Sequence, residues 1–339
     1  MNIKEIAQMA GVSTATVSRV LNGSGSVKEE TQRRILQIIE DGNYVPSAAA
    51  RSLSRGNTVK NIGLMITDIS NPFFSELAKG VLGAADELGY TVSVFETDED
   101  LESERRMLHA VKELGVCALL MTPVTDYDVK NHNLVTNLNI PVVMVDREIE
   151  NAGFDGVFSD DYKGTFDAIE ALIKIGHTKI AQVAGPQTNR PGRMRLQGYL
   201  DAMKKYNLPV EERYIAQGNF RVDGGYHATK ILMEQDDPPT AIFSANCLMT
   251  LGVLKYLKEH DLKWGKDVSL IGYDDIEYFQ YIDSEISAVS RPVIDMGYEA
   301  MRILNRRITE SSEVKRVITL GTKLVLRGSE KLAGLNADK

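Results

Sequence analysis

The sequence predicts a small all-α head with a helix-turn-helix, followed by an α/β body of two doubly wound parallel-sheet subdomains. Three observations lead to this fold class. The chain has 339 residues, more than a single hydrophobic core usually organises. Apolar side chains recur at helical spacing before residue 45, whereas from Asn61 onward short apolar runs alternate with helical stretches. Residues 1–60 carry a net charge of +3 and the remainder −11, so head and body differ in composition as well.

The first two helices of the head are separated by Gly11, which can adopt the backbone geometry of a tight turn. Ser13 is a good N-cap for the second helix. This helix buries Val17 and leaves small side chains and Arg19 on its outer face. Small groups at a helix start, followed by an arginine, suit the major groove of DNA. An ordinary helical hairpin without a ligand is the alternative.

A third helix is expected to open at the capping box Ser26-Val27-Lys28-Glu29 and to end near Gly42. The three helices would share a small core, formed by Ile6, Val12, Val17, Leu21, Ile35 and Ile39. Such a core is marginal by itself. A basic head on an acidic body fits a nucleic-acid-binding module joined to a domain that does not bind nucleic acid.

An alanine-rich segment follows the head, from Val45 to Arg55. It favours a helix but is too short to be stable unless something packs against it. Leu53 lies between Arg51 and Arg55, which suits an apolar wedge in a minor-groove step with arginines on the adjacent phosphates. A flexible linker is equally compatible with this composition.

Residues 1–55 resemble the head and hinge of the lactose-repressor (LacI/GalR) family of bacterial transcription regulators. The motifs that carry the resemblance are 16–22 (TVSRVLN), 44–46 (YVP) and 49–53 (AARSL). The resemblance implies that Thr14, Ala15 and Arg19 read bases and that Leu53 intercalates. The complete set of candidate DNA contacts is Thr14, Ala15, Thr16, Ser18, Arg19, Asn22, Arg51 and Leu53.

The body contains two series of apolar runs, at 62–66, 91–95, 118–121 and 142–145, then at 180–183, 241–243 and 268–271. Helical segments lie between them, at 72–88, 102–114, 165–174, 196–206 and 248–260. Runs buried on both faces and separated by helices predict parallel sheets. Two series predict two subdomains with a ligand cleft between them.

The family resemblance implies a body shaped like a periplasmic sugar-binding protein, with three crossings between subdomains. We place these near Asp160, Arg291 and Gly321. The expected domains are a DNA-binding head (1–45), a hinge (46–60) and an effector-binding body (61–339). Within the body, the N-subdomain would comprise about 61–160 and 292–321, and the C-subdomain about 161–291 and 322–339.

Candidate effector-binding residues follow the predicted strand ends or open the next helix: Asn71, Phe73, Phe74, Asp146, Arg147, Arg195, Phe220, Asn246, Asp274 and Arg291. Carboxylates, guanidinium groups and amides around aromatic rings form a sugar site in chemical terms. For any one of these residues taken singly, a salt bridge or a core position is the favoured interpretation, whereas together they favour a ligand cleft.

Most of these positions resemble those of ribose-operon-type repressors, as does the stretch 191–199 (PGRMRLQGY). Cys247 and Arg291 depart from that pattern, since the family usually has an aspartate and a glutamine there. An additional guanidinium would favour an anionic effector, such as a sugar acid or sugar phosphate. Pairing of Arg291 with Asp146 or Asp274 is the alternative.

Other classes of protein lack support in the sequence. The motifs HExxH, GxSxG and GxxxxGK[ST] are absent, as are a signal peptide, a membrane span and a metal-ligand cluster, so we expect neither an enzyme nor a cofactor. Cys117 and Cys247 stand in apolar, strand-like contexts, which is typical of buried reduced thiols in a cytoplasmic protein.

The sequence therefore predicts a homodimeric repressor that binds a pseudo-palindromic operator and responds to a small sugar-like effector. One alternative is a purine corepressor stacked between Phe74 and Phe220, and another is a sugar-binding or sugar-modifying protein whose head only dimerises. The identity of the effector, its role as inducer or corepressor, the operator sequence and dimer against tetramer stay open. A phosphocarrier partner, as in some relatives, is also left open.

Overall fold

The computed structural model describes residues 1–22, 27–42, 61–281, 285–310 and 314–331. Its contacts divide the chain into two compact units, Met1–Lys60 and Asn61–Lys339. The side chain of Asn22 and the hinge segment with Arg51 and Leu53 lie outside the described residues, so the predictions made for them stay predictions.

The head contains three described helices, α1 (Ile3–Ala10), α2 (Thr14–Asn22) and α3 (Glu29–Asp41). Gly11 ends α1 with a left-handed backbone (φ +62°), as the tight turn requires. The core consists of Ile6, Ala7, Ala10, Val17 and Ile35, with Ile3, Val12, Val20, Leu21, Ile38 and Ile39 packed around it. The predicted all-α head is therefore confirmed.

Helix α3 begins later than the capping box predicted. Its N-cap is Lys28, without a side-chain hydrogen bond, and Glu29 is the first helical residue. The acidic Glu29 and Glu30 nevertheless lie in the first turn, where their negative charges interact favourably with the positive end of the helix dipole.

The first sheet of the body has the strand order β11-β5-β4-β3-β1-β2, and all its pairs are parallel. Its strands are β1 (Asn61–Ile66), β2 (Thr91–Glu96), β3 (Ala118–Met121), β4 (Val142–Val145), β5 (Asp155–Ser159) and β11 (Val317–Leu320). Its helices are α4 (Pro72–Leu88), α5 (Leu101–Glu113), α6 (Val129–Thr136) and α11 (Val293–Thr309).

The second sheet has the order β12-β10-β9-β8-β6-β7 and is parallel except for β12. Its strands are β6 (Ile180–Ala184), β7 (Ile215–Gln217), β8 (Ala241–Ser244), β9 (Ser269–Tyr273), β10 (Ser287–Ser290) and β12 (Lys323–Val325). Its helices are α7 (Asp161–Ile175), α8 (Arg190–Lys205), α9 (Val222–Met233) and α10 (Cys247–Glu259). The predicted α/β class of the body is confirmed, and both sheets have buried central strands.

Two local expectations for the body were wrong. Helix α8 begins at Arg190, because Asn189 caps it and Pro191 lies in its first turn, so Arg195 is inside the helix rather than at its start. Cys247 is the first residue of α10 rather than part of a strand, although its thiol is buried and free. Within the described residues, no helix is long and apolar enough to cross a lipid bilayer.

Helices α4 and α11 pack at close range through glycines. A Cβ atom added to Gly80 would lie 2.2 Å from the backbone oxygen of Ile294, and one on Gly297 would lie 2.7 Å from that of Leu77. Only glycine permits this approach, which brings α11 back onto the first sheet after β10.

We expect Gly80→Val to destabilise the body by about 3 kcal/mol, since overpacking against a backbone cannot be relieved by a side-chain rotation. Urea unfolding of the full chain measures the change. Gly321→Val is the matched control, because nothing lies within 4 Å of its added Cβ. Equal stability of the two variants would contradict the close-packing argument.

Candidate functional site

The outer face of α2 carries the candidate base-reading residues of the head. Thr14, Ala15 and Arg19 are exposed, whereas Thr16 and Ser18 are half-buried. The Thr16 hydroxyl lies 3.0 Å from the Ser13 hydroxyl, and the Thr16 amide donates to Ser13 Oγ at 3.2 Å. Ser13 therefore caps the helix, while the three exposed residues form a small surface that can approach another molecule.

The body has a pocket at the carboxyl ends of strands from both sheets. Its cavity volume is about 20 Å³, and it is lined by Asn71, Phe73, Phe74, Asp146, Arg147, Pro191, Arg195, Phe220, Asn246, Asp274 and Arg291. The structure thus brings all ten residues predicted for the cleft onto one wall and adds Pro191. Their contacts with an effector stay a prediction.

Two asparagines fix the starts of helices at this pocket. Asn71 accepts a hydrogen bond from the Phe73 amide at 3.0 Å, and Asn246 accepts from the Met249 amide at 2.8 Å. The Asn246 side-chain amide also donates to the Phe220 carbonyl at 3.0 Å. Both residues therefore combine capping with a position on the pocket wall.

Three aromatic rings contribute the apolar part of the wall. Phe73 and Phe74 are both buried and meet edge to face, with centroids 4.9 Å apart. Phe220 has a left-handed backbone (φ +62°), and its ring packs so close to Gly185 that an added Cβ would lie 2.2 Å away. Gly185 thus makes room for the ring.

Arg291 joins the two sheets at the pocket. Its Nε donates to Asp274 at 2.7 Å and its Nη1 donates to Asp146 at 2.5 Å, while its guanidinium lies 3.9 Å from the Phe73 ring centre. Burial raises the pKa of Asp146 above its ordinary value, even though the charge of Arg291 opposes this shift. Of the two alternatives for Arg291, the structure therefore has the pairing with both aspartates.

The other two arginines on the wall are also paired. Arg195 donates through Nη2 to Asp161 at 2.8 Å, and Arg147 binds both oxygens of Glu99 at 2.6 and 2.7 Å. Burial alone would raise the pKa of Asp161, but the charges of Arg195 and Arg291 hold it below its ordinary value. Each guanidinium of the wall thus has a carboxylate partner from the protein.

Sequence reasoning missed Asp161, Glu99 and Tyr273. The Tyr273 hydroxyl donates to Asp161 at 2.8 Å, and the Arg195 guanidinium lies 3.7 Å from the Tyr273 ring centre. Asp161 follows β5 and Glu99 follows β2, so the strand-end signal that found Asp146 applied to both. Strand β5 is not among the predicted strand runs, so Asp161 is not among the predicted site residues.

The loop after β3 also contacts the loop after β6. The Asp126 amide donates to the Thr188 carbonyl at 3.0 Å, and Arg193 donates to Asp126 Oδ2 at 2.7 Å. Among the described residues, Asp126 Oδ1 is buried without a hydrogen-bond partner. Burial raises the pKa of Asp126 to about 6, although Arg193 lowers it.

The sequence matches "Bacterial regulatory proteins, lacI family" over residues 2–47 and "Periplasmic binding protein-like domain" over residues 169–330. It is 34% identical to the transcriptional repressor PurR of Vibrio vulnificus, covering 97% of this chain and 98% of that protein. It is 33% identical to the ribose operon repressor of Escherichia coli K12, covering 96% and 99%.

The chain belongs to the lacI family of bacterial regulatory proteins. A solved complex of the transcriptional regulator CelR with cellobiose has the same fold, with a TM-score of 0.75 and 27% identity over 97% of this chain and 99% of that one. This lacI-family chain is a DNA-binding transcriptional repressor controlled by a small molecule, and its relatives are repressors rather than enzymes. In the described part of the chain, no three His, Cys, Asp or Glu side chains are placed to hold a metal ion.

The Asp126 carboxyl should make the stability of this repressor depend on pH. In the folded chain the pKa of Asp126 is raised, so the folded state binds this proton more tightly than the unfolded state does. The resulting stabilisation of the folded state is fully present below the unfolded pKa, near 4, and is lost as pH rises through about 6. We expect the free energy of unfolding of the wild type, relative to Asp126→Asn, to fall by about 2 kcal/mol between pH 4 and pH 7.

Urea unfolding at a series of pH values measures this difference. Asp167→Asn is a suitable control, since Asp167 forms a more exposed pair with Lys163 at the surface. Parallel stability curves for the wild type and Asp126→Asn would show that Asp126 titrates normally.

Proposed function

We propose that the chain represses transcription as a homodimer on a pseudo-palindromic operator and that a neutral sugar, or a neutral sugar derivative, controls its DNA binding. In this proposal residues 1–45 read DNA, residues 46–60 form the hinge and residues 61–339 bind the effector. Within the body, the effector would lie between the N-subdomain (about 61–160 and 292–321) and the C-subdomain (about 161–291 and 322–339). Because its target is operator DNA, we place its action in the cytoplasm.

The pairing of the wall arginines is the observation that carries the choice of a neutral effector. Arg147, Arg195 and Arg291 each bind a carboxylate of the protein, so the pocket offers an anion no unpaired guanidinium among the described residues. Sugar hydroxyls can donate to carboxylates and accept from amides without adding charge. We therefore propose a neutral effector in place of the sugar acid or sugar phosphate that Arg291 favoured in the sequence.

Arg147 supplies a specific hydrogen-bond donor for such a ligand. Its two terminal nitrogens are held by Glu99, whereas its Nε is buried without a partner among the described residues. A buried donor without an acceptor is unfavourable by about 1–3 kcal/mol, and a ligand oxygen would relieve it.

A purine corepressor is the second candidate. The similarity to PurR favours it, as do the Phe74 and Phe220 rings on the pocket wall. Against it, the Phe220 ring is already contacted by two guanidinium groups, with Arg147 5.5 Å and Arg195 5.9 Å from its centre. The ribose operon repressor and the cellobiose complex of CelR favour a sugar.

Dimer formation is supported by apolar side chains at one edge of the first sheet. Strand β2 is an end strand, and its Val94 is exposed, as are Leu82 on α4 and Ile69 after β1.

Two copies on a two-fold axis would present two heads to two half-sites. Closure of the cleft would then change operator affinity through a coupling of about 1–3 kcal/mol.

Arg19→Ala should weaken operator binding about 10- to 100-fold, because an arginine on a guanine edge or phosphate contributes that much discrimination or affinity. Electrophoretic mobility shift with the full chain measures it. Arg33→Ala on α3 is the control, since it removes the same charge from an exposed side chain paired with Glu29. An equal loss in both variants would indicate general electrostatics instead of base reading by α2.

A neutral pentose or hexose should bind the full chain and change its operator affinity, whereas the matching sugar phosphates should not. Isothermal titration calorimetry measures the binding.

Gly185→Ala should lower that sugar affinity at least about tenfold, because the added Cβ displaces the Phe220 ring while leaving every charge in place. Gly321→Ala is the control. Tight binding of hypoxanthine or guanine, without binding of sugars, would replace the sugar by the purine corepressor.

A further inference from the structure

The effector pocket is too small for a sugar in this conformation of the body. Its cavity volume of about 20 Å³ has room for about one water molecule. The residues around it come from loops and helix starts that follow strands of the first sheet and of the second sheet. These two sets of loops must therefore separate before an effector can enter.

Among the described residues, three ion pairs with partly exposed arginines connect the two sets of loops. They are Asp98–Arg221, Asp126–Arg193 and Glu148–Arg190, and we call these six residues the latch. The three carboxylates follow β2, β3 and β4 of the first sheet, whereas the three arginines follow β6 or β7 of the second. Every positive charge of the latch is thus on one side and every negative charge on the other, so each pair opposes separation.

Two pairs of the latch have carboxylates that water can reach. Arg221 Nη2 lies 2.6 Å from Asp98 Oδ1 and also donates to the Asp98 carbonyl at 2.8 Å. Arg190 Nε lies 3.4 Å from Glu148 Oε1, and the Arg190 guanidinium lies 4.6 Å from the ring centre of Phe158 on β5. Asp98 is exposed and Glu148 is half-buried, so removal of either arginine leaves a carboxylate that stays solvated.

The third pair has a buried carboxylate and belongs to a larger contact. Arg193 Nη1 donates to Asp126 Oδ2 at 2.7 Å. The Asp126 amide and the Thr125 hydroxyl both donate to the Thr188 carbonyl, each at 3.0 Å. Because loss of Arg193 would leave a buried charge unpaired, the other two arginines are the better positions at which to test the latch.

Ionic strength can weaken the latch selectively. Salt screens charges near the surface, with a Debye length of about 10 Å at 0.1 M and about 3 Å at 1 M, whereas buried pairs are screened much less. The bridge between Asp146 and Arg291 is buried, so it keeps most of its strength when the partly exposed pairs are screened.

We propose that the latch holds the effector cleft closed and makes its opening depend on ionic strength. Because the effector binds only after opening, its apparent affinity is reduced in proportion to the fraction of molecules that are open. The consequence for the effector rests on the proposed sugar-binding function. The opening itself can be measured without any ligand.

The Cys247 thiol reports on this opening. It is fully buried in the first turn of α10, beside the second sheet, and it donates at 3.4 Å to Oδ1 of Asn71, the N-cap of α4 beside the first sheet. Separation of these two helix starts exposes the thiol to a reagent. The other cysteine, Cys117, is half-buried and can be replaced by alanine to leave a single thiol.

The test measures the rate at which iodoacetamide, a neutral reagent, alkylates Cys247 in the full Cys117→Ala chain at constant pH and without ligand. We expect this rate to rise at least about threefold when potassium chloride is raised from about 0.05 M to about 0.5 M. The additional double substitution Arg190→Gln and Arg221→Gln should raise the rate at low salt at least about threefold and remove most of the salt dependence, since two of the three pairs are then absent.

Arg213→Gln is the matched control for the double substitution. Arg213 is 44% exposed, close to the 40% of Arg221, but it pairs with Glu211 and Asp237, which belong to the same side of the cleft as Arg213 itself. An equally fast alkylation in this variant would overturn the proposal, because loss of a positive charge would then be enough. A rate in the Cys117→Ala chain that is independent of salt would overturn it as well, even if the double substitution prevents folding.

Calorimetry on the wild-type chain separates this inference from the proposed function. Binding of a neutral ligand to a rigid site should be independent of ionic strength, whereas the latch predicts that ribose or glucose binds at least about threefold more tightly at the higher salt concentration. Equal affinities at the two concentrations would overturn the control of effector binding by the latch. Failure of every neutral sugar to bind would refute the proposed function, and the alkylation rates would still decide whether the latch exists.

Discussion

The bridge from Asp146 through Arg291 to Asp274 is the contact on which the cleft depends. One carboxylate follows β4 of the first sheet and the other follows β9 of the second, so a single guanidinium neutralises charge from both lobes. Buried ion pairs add little net stability, but the removal of one partner is unfavourable by about 3–5 kcal/mol because a bare charge stays behind. The relative position of the two sheets is therefore tied to the position of one side chain.

The same backbone conformation positions both carboxylates. Asp146 and Asp274 have left-handed backbones, with φ of 67° and 68°, and each amide donates at 2.9 Å to a carbonyl of the neighbouring strand, Val157 or Val289. Residues other than glycine are uncommon in this region, and such strain concentrates at functional sites. Here it turns the chain sharply out of each sheet, so that the side chain points along the edge where parallel strands end.

The sequence predicted the fold class and the membership of the pocket wall because both follow from strong local patterns. Continuous Val, Ile and Leu runs marked the central strands, and the rule that parallel strands end at one edge grouped residues far apart in the chain. Strand β5 (Asp155–Ser159) was missed because Asp155 and Gly156 weaken its apolar pattern, and Asp161 was missed with it. The sequence could not predict which charged side chains pair. Asp146 and Arg291 are 145 residues apart, and no local pattern relates two positions at that distance.

Charge pairing also explains how a cleft rich in arginine can select a neutral ligand. An anion that took a guanidinium from its partner in this pocket would leave Asp161, Glu99 or the aspartate pair at Arg291 uncompensated. A penalty of about 3–5 kcal/mol would weaken binding by more than about a hundredfold. Hydroxyl groups avoid that penalty, because they share the existing donors and acceptors without competing for their charge. The number of arginines in such a site is therefore less informative about its ligand than the carboxylates to which they are bound.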